Sequence, residues 1–237
     1  MSSTSTHPAS HVRIRYEDID DVAAVRRVNE AAFNGAAEAM IVDALRAAGV
    51  VKLSMVAVVG AEEVPVGSSE GVCTPLSTWG REGQGWSDGS SGEGRGAEDD
   101  RECGDNDPGR ARIVGGEVVG HVLVTPVRVT TDQEEEQLLG LGPVAVLPEY
   151  QGQGVGTLLI ESCLERLRDS GVAGVVVVGD PAYYARFGFI AADRWGLRWE
   201  TDAPADHFMA LELSAGKLAG KCGVCRYRAE FDIASTS

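Results

Sequence analysis

The residues best spaced for chemistry are Gln151-Gly152-Gln153-Gly154-Val155-Gly156. Glycines at alternate positions let a backbone turn tightly and approach a ligand closely. Apolar residues follow behind them: Val155, Leu158, Leu159, Cys163 and Leu167 fall on one helical face, with Glu161, Glu165 and Arg168 outside it. The loop therefore opens a helix whose first N–H groups lack intrahelical partners and point outward at the positive end of the macrodipole. That is a site for an anion such as phosphate or pyrophosphate. Two familiar phosphate signatures do not fit. A dinucleotide fold needs G-x-G-x-x-G, whereas Thr157 occupies the last slot here. A P-loop needs a lysine after its final glycine, and none follows Gly156.

The pattern that does fit is [Q/R]-x-x-G-x-[G/A] after a strand, here Val144, Ala145 and Val146 closed by Pro148. It resembles motif A of the GNAT superfamily, the acyl-CoA-dependent N-acetyltransferases. A second stretch agrees. Gly179-Asp180-Pro181-Ala182-Tyr183-Tyr184-Ala185-Arg186-Phe187-Gly188-Phe189 resembles the Y-x-x-x-G-F element of that superfamily, with Tyr184 in the tyrosine position. The combination is most similar to small bacterial N-acetyltransferases with a GDP-x-YY-x-RFGF element, and it covers residues 11–60 and 112–231.

The resemblance implies a fold, a cofactor and roles. The fold is α/β, a mixed central sheet splayed between two parallel strands with helices on both faces. The co-substrate is acetyl-CoA, with no metal. Pantetheine pairs with the backbone of Val144, Ala145 and Val146, whose N–H groups can also polarise the thioester carbonyl. The pyrophosphate sits on Gln151, Gly152, Gln153, Gly154, Val155 and Gly156. The reaction is direct attack by a primary amine, with Tyr184 as general acid, since a phenol of pKa ~10 is protonated at neutral pH. Tyr183 is assigned to packing. Asp180-Pro181 stands where many members have N-x-x-A, which shortens the helix before Tyr184.

For the base, His121 and Glu117 are the polar candidates, because alternation from Glu117 places Glu117, Val119, His121 and Leu123 on one strand face. Gly120-His121 and the following residues to Thr125-Pro126 resemble the G-H-h-h-h-[ST]-P stretch of the similar proteins. His121 is carried as a candidate catalytic residue, with a structural histidine as the alternative. Cys222-Gly-Val-Cys225 is read as incidental: on a strand the two cysteines face opposite ways, and no second C-x-x-C exists to complete a zinc site.

The elements that must position these groups follow from periodicity. A half-buried strand runs from His11 to Tyr16. Asp18 caps a helix starting near Ile19, striped with Ile19, Val22, Val25, Val28 and Phe33. Asn34-Gly35 breaks it, a second helix covers Ala37 to Ala48, and Val51 to Val59 is a strand. In the resembling family the junction from Phe33 to Glu38 lies over the acceptor site. Further strands are expected from Glu117, from Leu138 to Val146, from Val172 to Val178, at Phe189, from Phe208 to Leu213 and from Gly223 to Phe231. The valine-rich run lacks alternation, so it is buried on both faces. Its link through a helix makes it parallel to the Leu138–Val146 strand.

Residues 61–111 break the pattern. They carry twelve Asp or Glu against four Arg, and eleven glycines lie between Gly67 and Gly109. Such a stretch buries too little apolar surface to offset ordering entropy, and it reads as a disordered acidic insertion in a hairpin turn. Residues 1–10 read as a disordered tail, leaving a single domain from 11 to 237. The formal charge of −15 disfavours nucleic acid as a partner. No apolar window is long enough for a membrane span, and five scattered cysteines do not make a secreted disulfide framework, so the expected location is cytoplasmic. The expected partner is a small-molecule or peptide amine acceptor, and a homodimer is possible. Two other classes compete: a non-catalytic acyl-CoA sensor on the same fold, and an unrelated nucleotide-binding domain.

Overall fold

The computed structural model describes residues 12–64, 112–131, 135–168, 171–201 and 206–236. The expected tail, most of the expected insertion and its Trp79, Trp86, Cys73 and Cys103 lie outside the described residues. The strands that flank the insertion, β3 (Glu62–Val64) and β4 (Arg112–Val114), pair antiparallel.

The chain opens with β1 (Val12–Tyr16), then a turn capped as anticipated. Asp18 accepts from the Asp20 N–H, and the Asp21 carboxylate accepts from the Asp18 N–H, a reciprocal capping box. Arg15 holds Asp21 from β1 at 2.9 Å. Helix α1 (Val22–Phe33) ends at Asn34 in the left-handed conformation, and α2 (Ala37–Ala47) follows. Only the middle of the anticipated stripe in α1 is buried: Val25 and Val28 pack inward, while Ile19 and Phe33 are exposed. Strand β2 (Leu53–Val59) lies between β1 and β5 (Glu117–Thr130), and β5 forms a long antiparallel pair with β6 (Glu135–Val146). Helix α3 (Val155–Arg168) returns the chain to β7 (Gly174–Val178), which lies parallel to β6 as expected. A short helix α4 (Pro181–Tyr184), strands β8 (Ile190–Ala191) and β9 (Leu197–Trp199), and β10 (Phe208–Glu212) complete that side.

The main sheet runs β1-β2-β5-β6-β7-β10-β8, and β11 (Gly223–Arg226) pairs with the end of β5 and, in parallel, with β9. The last strand is shorter than Gly223 to Phe231: residues Ala229–Thr236 form a 3-10 helix that lies against α2. Its Phe231 and Ile233 pack onto the core there, which a strand continuing the sheet edge could not do. One face of the sheet is covered by α3, whose Val155, Leu159, Ile160, Cys163, Leu164 and Leu167 meet Met55, Val122 and Val177. Ile160 and Leu164 therefore join the predicted stripe, and Leu158 is only half-buried. The other face is covered by α1 and α2 through Val25, Val28, Ile41, Val42 and Leu45 on Val56, Val58 and Leu123.

Strand β5 carries a correction. Its pairing with β2 shifts register at Val118, so Val119 bulges. Val119 then packs on the α3 side, while His121 and Leu123 face α1 and α2. The four residues expected on one face are divided by that one extra residue. Among the described residues, no helix is long and apolar enough to cross a membrane.

Candidate active site

The parallel pair β6–β7 is joined over two residues only, Leu139 opposite Val175 and Gly140 opposite Val176. Beyond them the strands part. Val144, Ala145 and Val146 pair with Val122, His121 and Gly120 of β5 on one side, and their other edge faces no strand. Val177 and Val178 pair with β10 alone. The result is a V-shaped opening in the middle of the sheet, closed at Gly140 and open toward the loop that starts α3.

That loop is braced by its own side chains. Gln151 Nε2 donates to the Val146 carbonyl at 2.9 Å, and Gln153 Nε2 donates to the Glu149 carbonyl at 2.6 Å. The glutamine side chains thus fix the turn. Gly152 and Gly154 have φ of 70° and 89°, a region costly for any residue with a Cβ. Nothing lies within 4 Å of where their Cβ atoms would stand, so this turn is open to solvent. The N–H groups of Gly152, Gln153 and Gly154 find no acceptor among the described residues. Unpaired donors at a helix start, next to a positive dipole end, are what an anion needs.

The mouth of the V is a cavity of about 750 Å³, lined on one side by Val146, Gln151, Gly152, Gly154, Gly156 and Thr157 and on the other by Asp180, Tyr183 and Arg186. Helix α4 is capped by Asp180, which accepts from the Ala182 N–H at 2.9 Å, and Pro181 fills its first turn, where no N–H is required. This cap turns Tyr183 toward the cavity. Its hydroxyl lies 2.8 Å from the position a Cβ on Gly156 would take. Arg186 stacks over the Tyr183 ring at 4.4 Å and donates to the Tyr183 carbonyl at 3.2 Å. Sequence reasoning passed over Arg186. The signal was present, because Arg186 lies three residues after Tyr183 and so on the same side of a helical turn.

The two tyrosines divide differently from the expectation that Tyr183 only packs. Tyr183 lines the cavity. Tyr184 lies further in, its ring edge-on to Phe189 at 5.7 Å and to Tyr183 at 5.2 Å, and close over Gly179. Burial, followed by the neighbouring Tyr183, pushes the Tyr184 phenol up to about 12, so it holds its proton at any physiological pH.

His121 is not brought to this opening. It is fully buried on the α1 side of the sheet. Its Nδ1 lies 3.1 Å from Asn29 Nδ2 and its Nε2 lies 3.0 Å from Ser54 Oγ. Ser54 donates in turn to Glu17, which Arg46 also holds. Burial, with Arg46 nearby, lowers the His121 pKa to about 3, so the ring is neutral. A sealed neutral imidazole between two fixed partners favours the structural alternative over the candidate base. Glu117 is exposed at the start of β5, paired opposite Val59, and does not line the cavity. Cys222 is exposed and Cys225 buried, and no group of three or more metal-ligating side chains occurs among the described residues.

The chain is similar in sequence and in fold to known proteins. The model of the Acetyltransferase (GNAT) family matches residues 82–189. The uncharacterised N-acetyltransferase YhbS of Escherichia coli K12 is 37% identical over 117 residues, 49% of this chain and 69% of that protein. The crystal structure of E. coli YhbS in complex with CoA superposes with a TM-score of 0.67 at 26% identity, over 94% of this chain and 92% of that one. A GNAT family acetyltransferase from Brucella melitensis in complex with acetyl-CoA superposes with a TM-score of 0.58 at 31% identity, over 96% and 100%. With its fold, its loop and its relatives in agreement, this chain belongs to the GNAT family of acetyltransferases.

Proposed function

We propose that the protein transfers an acetyl group from acetyl-CoA to a primary amine by direct attack, within the opening between β6 and β7. The observation that carries this reading is the parting of the parallel strands beyond Gly140, directly below the unpaired amides of Gly152 to Gly154. A pyrophosphate on those amides would send the pantetheine arm along the unpaired edge of Val144, Ala145 and Val146, where its amides complete the sheet. The thioester then arrives at the closed end of the V. The structures of E. coli YhbS in complex with CoA and of the Brucella melitensis acetyltransferase in complex with acetyl-CoA support the choice of co-substrate.

Tyr184 is the proposed general acid. It lies inward of Tyr183, over Gly179 and against Phe189, and burial keeps its phenol protonated while the sulfur leaves. The amine nitrogen bonds to the acyl carbon, the C–S bond breaks, and the Tyr184 proton passes to the sulfur as CoA departs. The proton lost by the amine nitrogen passes through water and restores the Tyr184 phenol, since among the described residues no imidazole or carboxylate beyond Asp180 lines the cavity. Holding both reactants in one cleft supplies most of the acceleration. The test is saturable thiol release from acetyl-CoA across a panel of primary amines, with Tyr184→Phe as control. Saturable turnover that the substitution removes supports the reading. Acetyl-CoA binding with no turnover on any amine would instead favour an acyl-CoA sensor.

A further inference from the structure

Arginines on this acidic chain find carboxylates: Arg15 holds Asp21, Arg26 holds Asp43, Arg46 holds Glu17 and Arg226 holds Glu200. Arg186 does not. Among the described residues it has no carboxylate partner, although the chain carries 36 Asp and Glu. It stands exposed on the α4 wall of the cavity, its guanidinium 4.4 Å from the centroid of the Tyr183 ring and 5.5 Å from that of Phe187. Its Nε donates to the Tyr183 carbonyl at 3.2 Å, and both Nη nitrogens stay without a partner among the described residues. Asp180, the acidic residue of the same cavity, caps α4 instead, accepting from the Ala182 N–H. A guanidinium fixed by its rings, with its outer nitrogens unused, offers parallel donors that suit a phosphate.

CoA offers two kinds of phosphate, the diphosphate and the ribose 3′-phosphate, and the cavity separates them by depth. The pantetheine arm enters toward the closed end of the V, so the nucleoside end trails outward past the loop. The α4 wall runs in the same order. The Tyr184 ring rests edge-on against buried Phe189, the Tyr183 hydroxyl reaches the first turn of α3 at Gly156, and Arg186 comes last, exposed. The unpaired N–H groups of Gly152 to Gly154, with the helix start behind them, provide for the diphosphate. The 3′-phosphate is a monoester with a charge of about −1.5 to −2 at pH 7. Among the described residues lining the cavity, Arg186 is the one cation it can meet.

We propose that Arg186 binds the ribose 3′-phosphate and makes the protein select 3′-phosphorylated carriers over dephosphorylated ones. The proposal rests on the acetyl-CoA site described above and names which part of the carrier that site reads for specificity.

Calorimetric titration of acetyl-CoA and of acetyl-3′-dephospho-CoA into wild type and Arg186→Gln tests it. Wild type should bind acetyl-CoA about 5–20-fold more tightly than the dephosphorylated analogue, the effect of one charge-assisted contact. Raised salt should shrink that ratio, because the contact is exposed. Arg186→Gln should bring the ratio to about 1 by weakening acetyl-CoA while leaving the analogue's affinity unchanged. Equal weakening of both ligands would place the guanidinium on the diphosphate, and would overturn the proposal while the acetyl-CoA site stands. A wild-type ratio near 1 would overturn it in the same way. Binding of neither ligand by wild type would overturn the underlying acetyl-CoA site as well.

Discussion

The hydroxyl of Tyr183 lies 2.8 Å from the place a Cβ on Gly156 would occupy, so the first turn of α3 and the short α4 meet through a missing side chain. A helical glycine normally costs about 1 kcal/mol relative to alanine. Here it leaves room for the phenol that forms one wall of the cavity. Gly156→Ala should push Tyr183 outward and weaken acetyl-CoA binding about tenfold, or about 1.4 kcal/mol, with little change in unfolding midpoint. Fluorescence titration alongside thermal unfolding checks both.

Arg186 is the one basic side chain among the described residues lining the cavity, on a chain of formal charge −15. Stacking on Tyr183 presets its guanidinium, which lowers the entropy of closing on a phosphate. Arg186→Gln should weaken CoA about 5–20-fold, as loss of a charge-assisted contact does. The salt dependence of CoA binding should flatten in parallel. Titrations at two ionic strengths measure this.

Tyr184→Phe removes the proposed proton donor and leaves the ring contacts with Phe189 and Tyr183 in place. Turnover should fall about 10²-fold or more while acetyl-CoA affinity stays near wild type. With the phenol pushed up to about 12, wild-type turnover should show no loss from its ionisation between pH 7 and 10. A pH profile of the amine reaction reads this directly.

His121 gives a prediction about stability. Its folded pKa is lowered to about 3 from an ordinary value near 6.5. The unfolded chain therefore takes up a proton before the folded one does. Stability contributed by the neutral ring is present above pH 6.5 and is lost as pH falls toward 3, by up to about 1.4 kcal/mol per pH unit. Glu17, raised by burial, acts in the opposite sense. His121→Gln should unfold about 1–3 kcal/mol more easily at pH 7, flatten the decline from pH 6.5 to 4, and leave turnover per folded molecule close to wild type. Thermal unfolding across that pH range, with a parallel rate assay, decides it.

The phosphate loop and α3 were readable because glycine spacing and helical period are local properties of the chain. The parallel β6–β7 pair followed from a β-branched run joined through a helix, which is a rule of connection. What escaped the sequence depends on distant contacts. The bulge at Val119 is set by pairing with β2, and it moved His121 into a network with Asn29 and Ser54 that no local pattern announces. The turn of Tyr183 toward the cavity depends on the Asp180 cap and the bare surface of Gly156. The 3-10 helix after β11 exists because Phe231 and Ile233 have α2 to pack on.

The whole account rests on the amides of the turn before α3 gripping the diphosphate of acetyl-CoA. Gly154 has φ of 89° and open space where a side chain would stand, so Gly154→Asp would both strain the turn and set a carboxylate where the phosphates bind. Titration of acetyl-CoA into wild type and Gly154→Asp is the most direct measurement. The account predicts saturable binding by wild type and none by the variant; equal binding by the two would contradict it.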